Sequence, residues 1–414
     1  MSTVTVNGRR YQFPQRPTVV VCIDGCDPEY FRHGLARGIL PAVEKFRTNG
    51  CFYTSRAVVP TFTNPNNLSI VTGVSPAVHG ISGNFFLDPE TGQEVMMNDP
   101  RFLRAETLLA ALSQAGLRVV VITAKDKLRR LLGHGLRDGI CFSAENAHAA
   151  TLDANGIDDV NSLVGWQTPE VYSSQLSEFV MEAGLRIFQQ QTPEVMYLSL
   201  TDYIQHKHAP EAPEAEAFYH CLDGYFAAFD ALGAVVALTA DHGMNAKNDA
   251  AGQPQVLYLR TLLDSWLGTG QARVILPITD PYVVHHGALG SFATVYLERG
   301  ADIATLMPKL TALEGIAYAA PRAQACRDFE LPADRIGDVV VVSDRHTVLG
   351  KAPEDHDLSL LEGGLRSHGG LAEQDVPFVL NTPLTPSYRQ RASDNLRNFD
   401  VFDFALNGIR PQGQ

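Results

Sequence analysis

Cysteine is scarce in this chain. Six residues in 414 (Cys22, Cys26, Cys51, Cys141, Cys221 and Cys326) are too few for a disulfide framework at this size. Cys22 and Cys26 have the spacing of a metal clip, but no second cysteine pair accompanies them, so they read as buried inert thiols. No apolar run approaches the roughly 20 residues that a membrane-spanning helix needs. Nor does a basic segment followed by an apolar stretch open the sequence. The expectation is a cytoplasmic protein with reduced thiols. Basic residues are also in short supply, with 33 Lys and Arg against 46 Asp and Glu and a net charge of −13. That balance argues against nucleic acid or an anionic membrane as a partner. An anionic substrate would need local cations: metals, or a few chosen lysines. Low-complexity segments and internal repeats are absent, and 45% hydrophobic against 19% charged residues points to a large core rather than disorder.

What is present is an alternation of strand and helix signals. Asn7-Gly8 between alternating apolar positions marks a hairpin over 3–13. Strands are expected at 18–23, 118–123, 195–201 and 234–240, with 377–380 as a late strand. Helices are expected at 27–35, 41–48, 66–72, 105–115, 168–190 and 213–231. This rhythm predicts an α/β fold, a mainly parallel sheet with helices on both faces. After Met244 it changes: strand-like pieces at 273–276, 291–297 and 337–343 surround a helix near 302–313. The expected organisation is a core over 1–248, an inserted smaller α+β cap over 249–362, and a return to the core over 363–414.

Carboxylates end three of the buried runs. Asp24 follows Val19-Val20-Val21-Cys22-Ile23, Asp202 follows Tyr197-Leu198-Ser199-Leu200-Thr201, and Asp241-His242 follows Val235-Val236-Ala237-Leu238-Thr239-Ala240. Open α/β sheets carry their sites beyond the carboxyl ends of strands, so these side chains should converge. Asp202 and His206, four apart, make with His368 an Asp-His-His set of the kind zinc favours. Asp241, His242 and Asp24 make a second set, whose fourth position the Thr63 hydroxyl could fill. Two zincs about 4 Å apart can clamp both sides of an in-line displacement at phosphorus. A threonine hydroxyl is a poor nucleophile until coordination ionises it. In Pro60-Thr61-Phe62-Thr63-Asn64-Pro65 the backbone is fixed just before a helix, whose N–H groups suit a phosphoryl dianion. Asn84 offers a side-chain donor to a phosphoryl oxygen.

Thr-x-Pro-Asn (63–66) ahead of Ile70-Val71-Thr72-Gly73, His79-Gly80-Ile81-x-Gly83-Asn84, and Asp241-His242-Gly243 together resemble the alkaline phosphatase superfamily. The branch is that of nucleotide pyrophosphatases/phosphodiesterases, and the likeness runs in order over nearly the whole chain. It implies an alkaline phosphatase-like core, two Zn²⁺ per chain and Thr63 as catalytic nucleophile. One zinc would be held by Asp24, Thr63, Asp241 and His242, the other by Asp202, His206 and His368. Within the branch the chain is most similar to members that cleave phosphonoacetate, which use lysines near the substrate; Lys125 and Lys127 are the matching positions. The cap would shape the leaving-group pocket, and His285-His286 could reach the site from it.

Chemistry favours the same small anionic phosphonate. Breaking a C–P bond expels a carbanion, tolerable only as an enolate faced by cations, and a lysine ammonium is a compact charge suited to a small carboxylate. Each residue has a plainer role available: strand-end Asp as a turn or cap, Thr63 as a turn former, Asn84 as a turn cap, Lys125 and Lys127 as solvated charges, His285 and His286 as structural. Seven matching positions in order outweigh that role for the metal set; His79, His208 and His220 are left structural. Diester or nucleotide cleavage is the alternative function, though Phe62 and Phe85-Phe86 do not clearly supply a slot for a base. A phosphomutase would want more arginines near the motifs, and a non-catalytic metal protein would not need the Thr63 turn. Assembly is left open, a homodimer included.

Overall fold

Val19 and Val21 side with one hydrophobic core, Val20 and Cys22 with the other. A strand alternates its side chains between two faces, so an uninterrupted apolar run forms where helices cover both. The computed structural model describes residues 2–278, 289–359, 361 and 364–410. Its central sheet has seven strands, in the order Cys51–Arg56, Asp375–Leu380, Val235–Thr239, Thr18–Cys22, Val195–Ser199, Val119–Thr123 and Ile140–Ser143. Neighbours from Val235–Thr239 to Ile140–Ser143 pair in parallel. Asp375–Leu380 runs antiparallel to both its neighbours, so the sheet is mixed but mostly parallel. One core packs the sheet against side chains of Pro28–Arg37, Pro41–Asn49, Gln175–Gln191 and Pro213–Ala231. The other packs it against Thr63–Thr72, Leu108–Gln114 and Asp126–Leu132.

Several boundaries differ from the sequence expectation for local reasons. The helix expected from 105 starts at Leu108, because the Thr107 hydroxyl caps it by accepting the Ala110 N–H at 3.0 Å. The helix expected from 168 starts at Gln175; Pro169 disfavours helical geometry at the residue before it. The helix expected from 66 starts at Thr63 itself. At the hairpin Thr3–Val6/Arg9–Gln12, Asn7 and Gly8 both have positive φ (49° and 81°), as a tight primed turn requires.

A second sheet is antiparallel throughout, ordered Ala272–Ile275, Phe292–Leu297, Val339–Ser343, Ile316–Pro321. Helices Leu259–Leu267, Ile303–Thr311 and Arg322–Phe329 accompany it. Its hydrophobic cluster takes in Val59 and Phe62 from the Thr63 turn, and Phe62 meets Phe292 edge-on with ring centroids 6.3 Å apart. The chain then returns through Arg366–Ser367, which pairs antiparallel with Asn245–Ala246. That short ladder is how residue 368 comes to lie beside residue 242.

Candidate metal centre and active site

Val235–Thr239, Thr18–Cys22 and Val195–Ser199 are adjacent in the sheet, and neighbouring strands lie about 4.8 Å apart. The residues just past their carboxyl ends must therefore meet. Asp24, Asp202, His206, Asp241, His242 and His368 are all buried. His242 Nε2 lies 3.3 Å from Asp24 Oδ1 and 3.7 Å from Asp241 Oδ2. His206 Nε2 lies 3.0 Å, and His368 Nε2 3.9 Å, from Asp202 Oδ2. The His242 and His368 rings stack at 3.6 Å with an interplanar angle of 6°.

Two groups have ligand atoms within 4.8 Å of one another: Asp24, Asp241 and His242, and Asp202, His242 and His368. His242 stands between them, whereas the sequence expectation placed it in the first set alone. Each histidine pairs its Nδ1 with a backbone carbonyl: His206 with Arg366 at 3.1 Å, His242 with Gly243 at 2.9 Å, His368 with Thr61 at 2.7 Å. Donating there fixes the tautomer, so every ring turns the Nε2 lone pair inward, as a metal ligand must. Asp24 Oδ1 and His242 Nε2 are buried without a hydrogen bond. Unsatisfied buried acceptors facing each other are costly, and a cation between them resolves the cost. This donor set fits a divalent metal.

The electrostatics agree. Burial pushes the Asp24 carboxyl well above its ordinary range, and the neighbouring Asp202 and Asp241 add to the push. Burial also acts to raise Asp202, but Lys125, followed by His206, overcomes it and holds that carboxyl well below. Burial, reinforced by His242 and His206, holds the His368 imidazole well below its usual value, keeping it neutral.

The Thr63 turn is pinned by residues to which the sequence reading gave no holding role. Asn66 accepts the Val58 N–H at 2.7 Å and donates to the carbonyls of Val58, Pro60 and Phe62. Asn67 donates to Thr63 O at 3.0 Å and to Asp241 Oδ2 at 3.3 Å, while accepting from Tyr197 and Ser199. Two consecutive asparagines inside a helix are poor helix formers, and that misfit was the available signal. Thr61 clasps the returning loop: its Oγ1 accepts the Gly369 N–H and donates to Gly370 O, both at 2.9 Å. Gly369 has φ of +119°, and a Cβ there would lie 2.5 Å from Phe62 Cε1. Gly369→Ala is accordingly expected to cost about 2–4 kcal/mol of stability through strain and overpacking. A denaturant midpoint equal to that of the parent protein would contradict this.

A cavity of about 230 Å³ opens over the cluster. Asp24, Thr63, Asn84, Lys125 and Lys127 line it together, with Met96, Leu128, Val171 and Tyr172 as further walls. Asn84 Oδ1 accepts the Asn64 N–H at 3.1 Å, which fixes the carbonyl end of its amide. That bond also takes up the second N–H of the helix, and Pro65 has none, so the helix start offers fewer amides than the sequence suggested. Lys125 is largely buried, with Nζ 3.0 Å from Asp202 Oδ1. Lys127 is exposed at the same cavity. Among the described residues none from 249–362 lines it; that segment instead supports it from behind, Pro277 O accepting the Asn84 N–H at 2.9 Å. His285 and His286 lie outside the described residues. No helix among the described residues is long and apolar enough to cross a membrane.

Solved structures share this fold. Crystal structures of phosphonoacetate hydrolase from Sinorhizobium meliloti 1021, in complex with phosphonoformate or phosphonoacetate, superpose with a TM-score of 0.93 at 52% identity, covering 98% of this chain and 99% of that one. Murine ectonucleotide pyrophosphatase/phosphodiesterase 5 has the same fold, with a TM-score of 0.63 at 17% identity over 96% of this chain and 98% of that one. Rat ectonucleotide pyrophosphatase/phosphodiesterase family member 1 is 39% identical over 80 residues, 19% of this chain and only 9% of the length of that protein. Residues 18–370 match the family described as type I phosphodiesterase / nucleotide pyrophosphatase. The chain belongs to that family.

Proposed function

We propose that this protein is a zinc-dependent hydrolase that splits the C–P bond of phosphonoacetate into acetate and phosphate through a phosphothreonine at Thr63. The observation that carries the proposal is the cavity shared by Thr63, Asn84, Lys125 and Lys127. A nucleophile, a donor for phosphoryl oxygen and two ammonium groups are what a substrate with a phosphonate at one end and a carboxylate at the other requires. The 52% identical relative crystallised with phosphonoacetate supports the same substrate.

Imidazole and carboxylate donors suit zinc. We assign one ion to Asp24, Thr63, Asp241 and His242, and the other to Asp202, His206 and His368; the 3.0 Å approach of His206 to Asp202 supports the second set. When bound, the two ions would ionise the Thr63 hydroxyl and neutralise phosphoryl charge. Asn67, by bonding both Thr63 O and Asp241, orients the nucleophile turn against its carboxylate neighbour. Asn84 orients a phosphoryl oxygen. The Thr63 oxygen attacks phosphorus as the P–C bond breaks, and the bonding pair passes to the methylene carbon and into its carboxylate as an enolate. Lys125 and Lys127 face that developing charge. Protonation of the carbon by water completes acetate. A second water then cleaves the phosphothreonine P–O bond, releasing phosphate and restoring the hydroxyl. We read residues 249–362 as an inserted cap between core parts 1–248 and 363–414, steadying the Asn84 and Thr63 turns.

One observation favours the diester alternative: Tyr172, 52% exposed, puts an aromatic face on the cavity that the sequence did not suggest, while Phe62 is buried against His368. The lysines separate the readings. Lys125→Met or Lys127→Met, whichever removes the more engaged group, is expected to cost roughly 2–4 kcal/mol in kcat/KM on phosphonoacetate. Activity on an aryl phosphate diester, which carries no carboxylate, should fall much less. Zinc content is to be checked for Lys125→Met, given its contact with Asp202. Equal losses on both substrates would mean that the lysines serve the phosphoryl group or the fold.

A further inference from the structure

We propose that Glu373, held by the ammonium of Lys247, is a positioning residue that fixes the two candidate metal loops against each other. The proposal rests on the two-metal reading above and concerns residues outside both ligand sets. Glu373 touches both loops. Its backbone carbonyl accepts the N–H of Gly243, next to His242, at 2.8 Å. Its carboxylate Oε2 accepts the N–H of Gly370, two residues beyond His368, at 3.0 Å. The other oxygen, Oε1, accepts from Lys247 Nζ at 2.8 Å and from Asn245 Nδ2 at 2.7 Å.

Lys247 in turn donates to Arg345 O at 3.0 Å, and both members of the pair are 0% exposed. Neither lines the cavity. Burying an ion pair costs heavily in desolvation, and well-packed apolar residues often stabilise as well or better. Stability alone is therefore a weak reason for this pair. Its geometry supplies a better one: His242 and His368 stack face to face at 3.6 Å, and any slip of one loop past the other changes how their Nε2 atoms converge. A carboxylate and a backbone carbonyl of one residue set that spacing. Gly370 allows the close approach, since a Cβ there would lie 2.8 Å from Ser291 Cβ and 3.2 Å from Glu373 Oε2.

Two variants of the full chain test the inference. E373D keeps the charge beside Lys247 but draws the carboxylate back from Gly370. K247M/E373Q keeps the shape while leaving no buried charge unpaired. Zinc titration and the EPR spectrum of the cobalt-loaded protein are the readouts, with circular dichroism and thermal melts to establish folding. The parent protein should bind two ions with exchange-coupled cobalt. Both variants should fold, yet bind the weaker of the two zincs about 10–100-fold less tightly, by comparison with the loss of a group hydrogen-bonded to a ligand. Their cobalt coupling should be diminished or lost, and kcat should fall more than KM rises. Folded variants with parental zinc affinity and cobalt coupling would overturn the inference. Failure of both variants to fold would also overturn it, making the pair a folding element instead. A parent protein that binds fewer than two ions would instead sink the metal reading itself.

Discussion

Thr63→Ala is expected to retain the fold and most zinc binding while losing turnover by on the order of 10⁴-fold, about 5 kcal/mol of barrier. Thr63 starts its helix with a side chain only partly buried at the cavity, so removing the hydroxyl leaves no hole in the core. The turn is held by Asn66 and Thr61 rather than by Thr63 itself. What disappears is the placed oxygen, and water has no equivalent site. Thr63→Ser should keep activity within about a hundredfold: the oxygen remains, but the methyl that stiffens χ1 is gone and placement loosens. Acid quenching of the parent protein during turnover should trap phosphate on residue 63. Near-normal turnover by the alanine variant would refute covalent catalysis.

Stripping zinc should be at least as damaging. Asp24, Asp202 and Asp241 are buried side by side, and Asp24 already responds by holding a proton well above its usual range. A metal must displace that proton. Zinc uptake should therefore release protons, and apparent affinity should rise with pH until Asp24 is ionised in the metal-free protein, then level off. Chelation should abolish turnover. It should also lower stability by about 4 kcal/mol per site if free zinc stood at about 1,000 times Kd. Re-addition of zinc should restore both. Full activity in metal-free protein, or zinc binding without proton release in the acidic range, would contradict the assignment.

Asp24, Asp202 and Asp241-His242 were legible in the sequence because a strand buried on both faces leaves a mostly apolar run, and the first charged residue beyond it marks the sheet's carboxyl edge. His368 follows no apolar run and was placed in its set by ligand chemistry and family likeness, since its return depends on the pairing of Arg366–Ser367 with Asn245–Ala246 and on the Thr61 clasp. Residues that hold rather than react escaped notice. Asn67, Thr61 and Glu373 act through partners distant in sequence, such as Asp241 at 174 positions from Asn67, and beyond the Asn66-Asn67 misfit no local pattern marks them. The direction of Asp375–Leu380 escaped for the same reason, because period-2 patterning is the same for parallel and antiparallel strands. The cavity walls at Met96, Leu128, Val171 and Tyr172 come from separate parts of the chain that only the fold assembles.

The central claim is cleavage of a C–P bond, and product analysis with zinc-loaded protein tests it most directly. Phosphonoacetate and a nucleotide diester would be supplied separately, with acetate and phosphate measured from the first and nucleoside monophosphate from the second. The account predicts acetate and phosphate in equal amounts from phosphonoacetate, at a kcat/KM well above that for the diester. Rapid diester cleavage, with phosphonoacetate recovered unchanged, would contradict it.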